Sequence, residues 1–523
     1  MSLEEFLLNL HFDIDKASVP NWEVDWEDAP LPYKLYRGLP EVPFSLEVPL
    51  SLERQESPAK PNLSKIGHFL WYVYGLNQVS QSVFPMDATA KTAKLVQSYR
   101  RFVPSGGALY PNELYVYLKI EDLPVGMYHY DVAHHRLLLL REGNFDSYID
   151  RALGNRCEIS ACFGTVFVST MFWKNYFKYN NFSYRLQGLD AGVLIGQLLE
   201  VAKRFGFATG VYFQFLDRAI NHLVGLSEQE ESVYAVIPLS VEPTRWSTNG
   251  SKIDVTAAQL CQELTAIQPH HYVRSKRIKE YPIVTKLNEA SMLDSTQAFR
   301  LFEEKESIDS DDEAETLPHM NRLSYDLRSV CLERFSPDMD FVLGRVSKLQ
   351  LTTLLQESTA SFSYRNDLDG ADWKNEPRVS LYGCLYNVEG IPNGAYYYDR
   401  LAHALRQVHL GDFRLQLQSG MSLDNVNLLQ VPLCLHVAGD RESFRKALGY
   451  RGYRIQQMEA GMLVQRLLLT ASALEMGGHP LLGFDANLSD QIYKMEPQGI
   501  TSLIQIPIGP YRQRPWLKGS LHS

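Results

Sequence analysis

Y-R-L-Q-G-L-D-A-G-V-L-I-G-Q-L-L, Tyr184 to Leu199, returns as Y-R-I-Q-Q-M-E-A-G-M-L-V-Q-R-L-L, Tyr453 to Leu468, 269 residues further on. In the first occurrence Leu186, Leu189, Val193, Leu194, Ile195, Leu198, Leu199 and Ala202 make a broad apolar face, which predicts a helix from Tyr184 to Phe205 ended by Gly206. Gly188, Ala191, Gly192 and Gly196 within it ask for the close approach of another helix or a planar ligand. Two more anchors keep almost the same offset. P-V-G-M-Y-H-Y-D, with Gly126, matches P-N-G-A-Y-Y-Y-D, with Gly394, and V-I-P-L, with Pro238, matches Q-I-P-I, with Pro507. A near-constant spacing over three separate elements predicts two copies of one domain.

Working outward, 523 residues are too many for one ordinary core. The expected division is an irregular, Pro-rich and acidic extension at 1–60, a first domain at 61–245, a linker at 246–320 and a second domain at 321–523. The linker holds Ser247 to Ser251, the acidic run Asp309 to Glu315 and an amphipathic stretch from Val255 to Ile267. A net charge of −10 argues against nucleic-acid binding. Six scattered cysteines without a CxxC pair read as reduced structural thiols, and no metal site is expected. The N-terminus lacks the basic region and apolar core of a signal peptide, and no later segment is apolar for long enough to span a bilayer, so a cytoplasmic location away from membranes is expected.

Upstream of the first repeat lies R-F-V-P-S-G-G-A-L-Y-P-N, Arg101 to Asn112, followed by the strand-like Glu113 to Ile120. Pro104 fixes φ, Ser105 offers a hydroxyl, and Gly106 and Gly107 let backbone N–H groups approach a flat or anionic ligand; the same composition also makes plain turns. P-S-G-G-A-L-Y-P followed by E-L-Y-V resembles the flavin-contacting segment of the nitroreductase superfamily, and most of all its SagB-type branch, dehydrogenases that mature thiazole- and oxazole-containing peptides. The resemblance implies an α+β fold, two fused nitroreductase-like domains forming a pseudo-dimer, with flavin mononucleotide (FMN) between them. It covers residues 60–240 well and 320–515 less completely.

The copies then differ in what they keep. Where the first has P-S-G-G, the second offers Pro377 to Gly383; where the second has Gly483-Phe484-Asp485, similar to a family turn whose backbone faces the flavin, the first has Gly210-Val-Tyr-Phe. The second also carries Arg328-Ser329, resembling the family's phosphate-binding opening, and Arg512 and Arg514 after its final strand. One composite FMN site is implied, built from Arg101, Pro104, Ser105, Gly106, Gly107 and Leu109 with Arg328, Ser329, Gly483, Phe484, Asp485 and Arg512. Read without the resemblance, Arg328-Ser329 equally suits a helix start, and arginines near a C-terminus are ordinarily solvated.

Lys178-Tyr179, alone, is an amine in water beside a half-buried ring. Its place before the Tyr184 helix is similar to that of the catalytic Lys-Tyr pair of peptide azoline dehydrogenases, while the second copy has Ala447-Leu448-Gly449. The resemblance therefore implies oxidation of thiazoline or oxazoline rings in a ribosomal precursor peptide, within a complex containing a cyclodehydratase and with oxygen reoxidising the flavin. A base must take the ring proton, and lysine can do so only if its pKa is lowered. Which of the two residues is the base stays open. An NAD(P)H-dependent nitroreductase-type enzyme acting on small molecules, and a non-catalytic scaffold of the modification complex, are the alternatives.

Overall fold

The computed structural model describes residues 1–53, 56–85, 93–244, 254–302, 314–360, 363–369, 378–513 and 517–520. Ser247 to Ser251, most of the acidic run, Pro377 and Arg514 lie outside them.

The repeated stretch forms the centre of the molecule. Helices Ser183–Arg204 and Ser443–Ala473 cross where both have lost their side chains. A Cβ on Gly192 would stand 1.9 Å from the Met458 carbonyl oxygen, and one on Gly461 would stand 2.2 Å from that of Leu189. Gly192 and Gly461 are 269 residues apart, as are Leu189 and Met458, so each copy meets in the other the counterpart of what it presents. That is the reciprocity of a twofold interface, here within one chain. Tyr184 and Tyr453, also equivalent, stack with ring centres 6.2 Å apart. Ser443–Ala473 turns sharply at Gly449, φ +60° and ψ −146°; the first copy makes the same turn at Asn180, φ +43° and ψ −134°, between helices Trp173–Tyr179 and Ser183–Arg204.

Each copy builds one seven-stranded antiparallel sheet, and the strand orders are identical. In the first the order is Glu41–Pro43, Arg136–Glu142, Gly126–Asp131, Asn112–Leu118, Gly164–Met171, Glu231–Ser240 and Ala208–Thr209. In the second it is Ala314–Thr316, Ala404–Leu410, Gly394–Asp399, Val379–Leu385, Leu433–Asp440, Ile500–Gly509 and Gly477–Gly478. Even the irregularities recur. The register slips between Met127 and Tyr128 and again between Ala395 and Tyr396, and between Val168 and Ser169 and again between Val437 and Ala438. His135 and His403, both at φ +48°, each hydrogen-bond a tyrosine five residues earlier at 2.9 Å, which gives these histidines a shared structural role.

Each sheet takes its first edge strand from the residues preceding its copy, Glu41–Pro43 from the extension and Ala314–Thr316 from the linker. A three-stranded sheet that sequence periodicity did not reveal pairs the hairpin Leu76–Pro85 and Ala93–Arg101 with the C-terminal strand Leu517–Ser520. No helix among the described residues is long and apolar enough to cross a membrane.

Candidate functional site

The loop after Arg101 is held in a contorted shape. Gly107 sits at φ +63°, and Ala108 and Tyr110, which are not glycines, sit at +56° and +50°. Left-handed backbone costs a non-glycine residue about 1 kcal/mol or more, so the surroundings must impose it. They do so through Asp190, one helical turn past Leu186 on Ser183–Arg204. Its carboxylate accepts the Ser105 hydroxyl at 2.7 Å and the Gly106 N–H at 3.1 Å, while Ser105 Oγ accepts the Tyr110 N–H at 2.9 Å. Lys174, paired with buried Glu113, donates to the Tyr110 carbonyl at 3.2 Å from the other side. Burial raises the Asp190 pKa to about 6, against the pull of its two donors.

Above the loop stands the Lys-Tyr pair. A Cβ on Gly107 would lie 2.5 Å from Tyr179 Oη and 2.8 Å from Lys178 Nζ, so only glycine leaves room for both groups here. Both side chains are half-buried. Burial lowers the Lys178 pKa; burial and then the Asp190 charge raise that of Tyr179. Among the described residues neither Nζ nor Oη has a hydrogen-bond or ion-pair partner; the amine instead faces the rings of Tyr179 and Trp26, at 4.8 and 5.6 Å from their centres.

The other expected residues occupy different surroundings. Arg101 is wholly buried, stacked on Tyr74 and Tyr110 at 4.0 and 4.7 Å and donating to the Pro32 carbonyl, so it supports the loop from behind. Pro104 and Leu109 are half-buried in the loop. Arg328 and Ser329 open helix Leu327–Glu333, where Ser329 donates to the capping Asp326 at 2.6 Å and Arg328 lies near Tyr72. Gly483, Phe484 and Asp485 pack against Gly420 to Ser422 and His436, with Asp485 capping helix Ala486–Ile492. Arg512 is exposed, its N–H on the Asp340 carbonyl. No hydrogen bond or ion pair among the described residues joins these second-copy groups to Ser105–Leu109.

Strand register corrects two alignments. Val379–Leu385 pairs as Asn112–Leu118 does, so Val379 to Gly383 matches the strand after the loop rather than the loop itself. Leu481 bridges Gln505 as Tyr212 bridges Val236, which makes Gln214, four residues beyond Gly210, the counterpart of Gly483.

That second register defines a pair of pseudo-equivalent sites. In one, Asp367 of the second copy accepts the N–H groups of Phe213 and Gln214 at 2.8 and 2.9 Å and pairs with Arg156 at 3.0 Å. Beside it Glu459, the counterpart of Asp190, is bound by Tyr364 Oη at 2.7 Å and by Arg378, which also reaches Asp369. The chain fills this site with its own charges. In the other, the corresponding donors are the N–H groups of Leu482 and Gly483, which have no acceptor among the described residues.

Sequence reasoning missed three residues. Asp190 lay inside the quoted repeat, with an acid at the matching Glu459 as its signal. Arg100 and Arg334, one from each copy, meet through Arg100 donating to the Arg334 carbonyl. Neither has an ion-pair partner among the described residues, Arg334 Nε has no hydrogen-bond partner there, and burial, then Arg100, lowers the Arg334 pKa to about 10. Two neighbouring guanidinium groups without a carboxylate suit a dianionic phosphate.

Comparison with known proteins agrees with this architecture. A crystal structure from Anabaena variabilis ATCC 29413, described as a candidate nitroreductase, matches 98% of the chain and 99% of its own length with a TM-score of 0.72 at 19% identity. The chain therefore has the nitroreductase fold, twice over and in tandem. The trifolitoxin-processing protein TfxB of Rhizobium leguminosarum bv. trifolii is 30% identical over 142 residues, 25% of this chain and 37% of that protein. A chain of the E. coli microcin synthetase McbBCD complex, solved with truncated pro-MccB17 bound, matches 40% of this chain and 80% of its own length, with a TM-score of 0.30 and 18% identity. No protein-family model matches the chain.

Proposed function

We propose that this protein is an FMN-dependent dehydrogenase that oxidises thiazoline or oxazoline rings of a ribosomal precursor peptide to thiazoles or oxazoles. The observation that carries the reading is the convergence of Lys178 and Tyr179 on the Gly106-Gly107 turn, at the pseudo-equivalent site that, among the described residues, carries no filling ion pair of the kind that Arg378 makes in the other. The partial likeness to a trifolitoxin-processing protein supports a substrate made as a peptide.

The residues present fit FMN. The Leu482 and Gly483 N–H groups, without an acceptor among the described residues, suit the polar edge of a flavin ring, the side-chain-free Gly106-Gly107 turn suits its face, and Arg100 and Arg334, with Arg328 and Arg512 on the same copy as Arg334, suit the phosphate. Arg101, Pro104, Ser105 and Leu109 shape the loop; Phe484 and Asp485 shape the Gly483 turn. When bound, FMN supplies a two-electron acceptor for the hydride that leaves the azoline.

The chain's own groups handle the proton. Aromatising the ring breaks two C–H bonds, and the hydrogen not lost as hydride leaves as a proton. Lys178 Nζ, made less basic by burial, accepts it; Tyr179 Oη, held protonated by burial and by Asp190, donates a hydrogen bond to the ring heteroatom. Asp190 keeps Ser105 and Gly106 in the conformation that leaves both groups their space. The substrate ring is what a cyclodehydratase produces, so such an enzyme is the expected partner, with oxygen as final electron acceptor.

The test is flavin per chain, followed by anaerobic mixing with a thiazoline-containing peptide. About one FMN per chain, bleached by the peptide, supports the proposal. Two per chain contradicts the self-filled site. Bleaching by NADPH and steady turnover of a nitroaromatic, with none by the peptide, replaces it with a nitroreductase activity. A well-folded protein that binds no FMN from excess is a scaffold.

A further inference from the structure

Trp26 is 55% exposed, yet the backbone carrying it is fixed on every side. The Asp28 carboxylate, two residues on, accepts the N–H groups of Lys276 and Arg277 at 2.8 Å each. The Asp28 carbonyl accepts Ser275 Oγ at 2.7 Å, and that hydroxyl accepts Trp173 Nε1 at 2.9 Å. Arg274 donates to the Glu27 carbonyl at 3.3 Å, and Arg277 pairs with Asp25. A basic stretch between the copies thus clasps an acidic stretch of the N-terminal arm through backbone and side-chain hydrogen bonds and the Arg277–Asp25 pair. Trp22, on the same arm, donates to the Phe177 carbonyl at 3.1 Å, and Asn181 donates to the Ala17 carbonyl at 2.9 Å.

What this clasp holds in place is an indole beside the Lys-Tyr pair. The Trp26 ring meets Phe177 edge-on at 5.4 Å, and Lys178 Nζ stands 5.6 Å from its centre. A large aromatic ring left half in water forgoes its burial energy, and one held rigid there presents a ready flat surface at low entropic cost. We infer that Trp26 is a substrate-contacting residue, an aromatic wall on which the flat heterocycle of the peptide, or the peptide plane next to it, stacks while its ring proton faces Lys178. The inference rests on the peptide reading of the site. It adds a specificity determinant that lies on the N-terminal arm, outside both repeats.

The test uses the flavin-loaded full chain and a fluorescein-labelled thiazole-containing peptide, with affinity read by anisotropy at equilibrium and so independently of turnover. Trp26→Ala weakens the peptide about tenfold, Trp26→Phe keeps it within about threefold, and neither changes flavin per chain. The limiting rate of flavin bleaching by the corresponding thiazoline peptide moves less than the affinity does. Unchanged affinity in Trp26→Ala, equal loss in both variants, or loss of flavin from Trp26→Ala would each overturn the inference while leaving the proposed activity standing. A wild-type chain that binds no such peptide sinks the peptide reading itself, and the wall with it.

Discussion

Asp190 and Glu459 stand at the same place on the two central helices, buried in both cases, and meet opposite surroundings. Asp190 accepts a hydroxyl and a backbone N–H from a loop that presents itself to Lys178 and Tyr179; Glu459 accepts an arginine and a tyrosine that come from the space a ligand would need. The two halves share one frame and differ in the charge that surrounds the matching acids. Asp190 uses its acceptors to shape a loop, whereas Glu459 uses them on a buried guanidinium that becomes part of the core.

The widest gap between the halves is expected in chemistry. Lys178→Ala and Tyr179→Phe each lower peptide oxidation by about 10² to 10⁴ with flavin content unchanged, measured by anaerobic flavin bleaching; equal activity in either variant would remove that residue from the proton path. The filled site yields the largest stability effect. Arg378→Ala leaves Glu459 buried and uncompensated and costs about 3–5 kcal/mol in denaturant unfolding, while replacing Arg378 and Glu459 together by Met costs far less. A single replacement as mild as the double one would mean that water reaches Glu459.

Acid titration probes the Asp190 side of the comparison more finely. The folded pKa of Asp190, about 6, lies above its ordinary value of 3.8. Its stabilising contribution is therefore fully present below the unfolded pKa and is lost as pH rises through about 6, a swing of about 3 kcal/mol at most. Asp190→Asn abolishes that dependence, so its unfolding free energy changes less than the wild type's between pH 4 and pH 7. The smallest contrast concerns the shared turn. Gly449→Asn costs about 1 kcal/mol, the backbone strain of φ +60° alone, because nothing stands within 4 Å of a Cβ at 449 and Asn180 tolerates a similar conformation in the first copy. Gly107→Ala adds a backbone cost of about 1 kcal/mol and also pushes Tyr179 and Lys178 aside, so activity falls further than stability.

The duplicated frame was legible because close helix contact leaves glycines in sequence and strand pairs leave matched turns. The Lys-Tyr pair was singled out by the family resemblance and by its absence in the second copy, and the fold sets both side chains over Gly107. Asp190 was hinted at only by the acid at Glu459, because the helix also carries Glu200 and nothing along it marks which acid meets the loop. Arg100 and Arg334 are 234 residues apart and become neighbours only through the pairing of the copies. The expected second-copy contribution at Gly483 could be placed only once strand register showed Phe213 and Gln214 to be equivalent to Leu482 and Gly483, and the role of Trp26 depends on a clasp whose halves are about 250 residues apart.

Leu517–Ser520 pairs with Leu76–Pro85, the hairpin strand that leads through Ala93–Arg101 into the Ser105 loop. On a ribosome, synthesis of the first copy is complete long before the strand that closes its hairpin emerges. The strand that enters the Ser105 loop is thus braced, through its partner strand, by a segment that follows the second copy, so the edge of one copy is tied to the folding of the other. Two copies that fold side by side could in principle be separated; this shared sheet makes them interdependent.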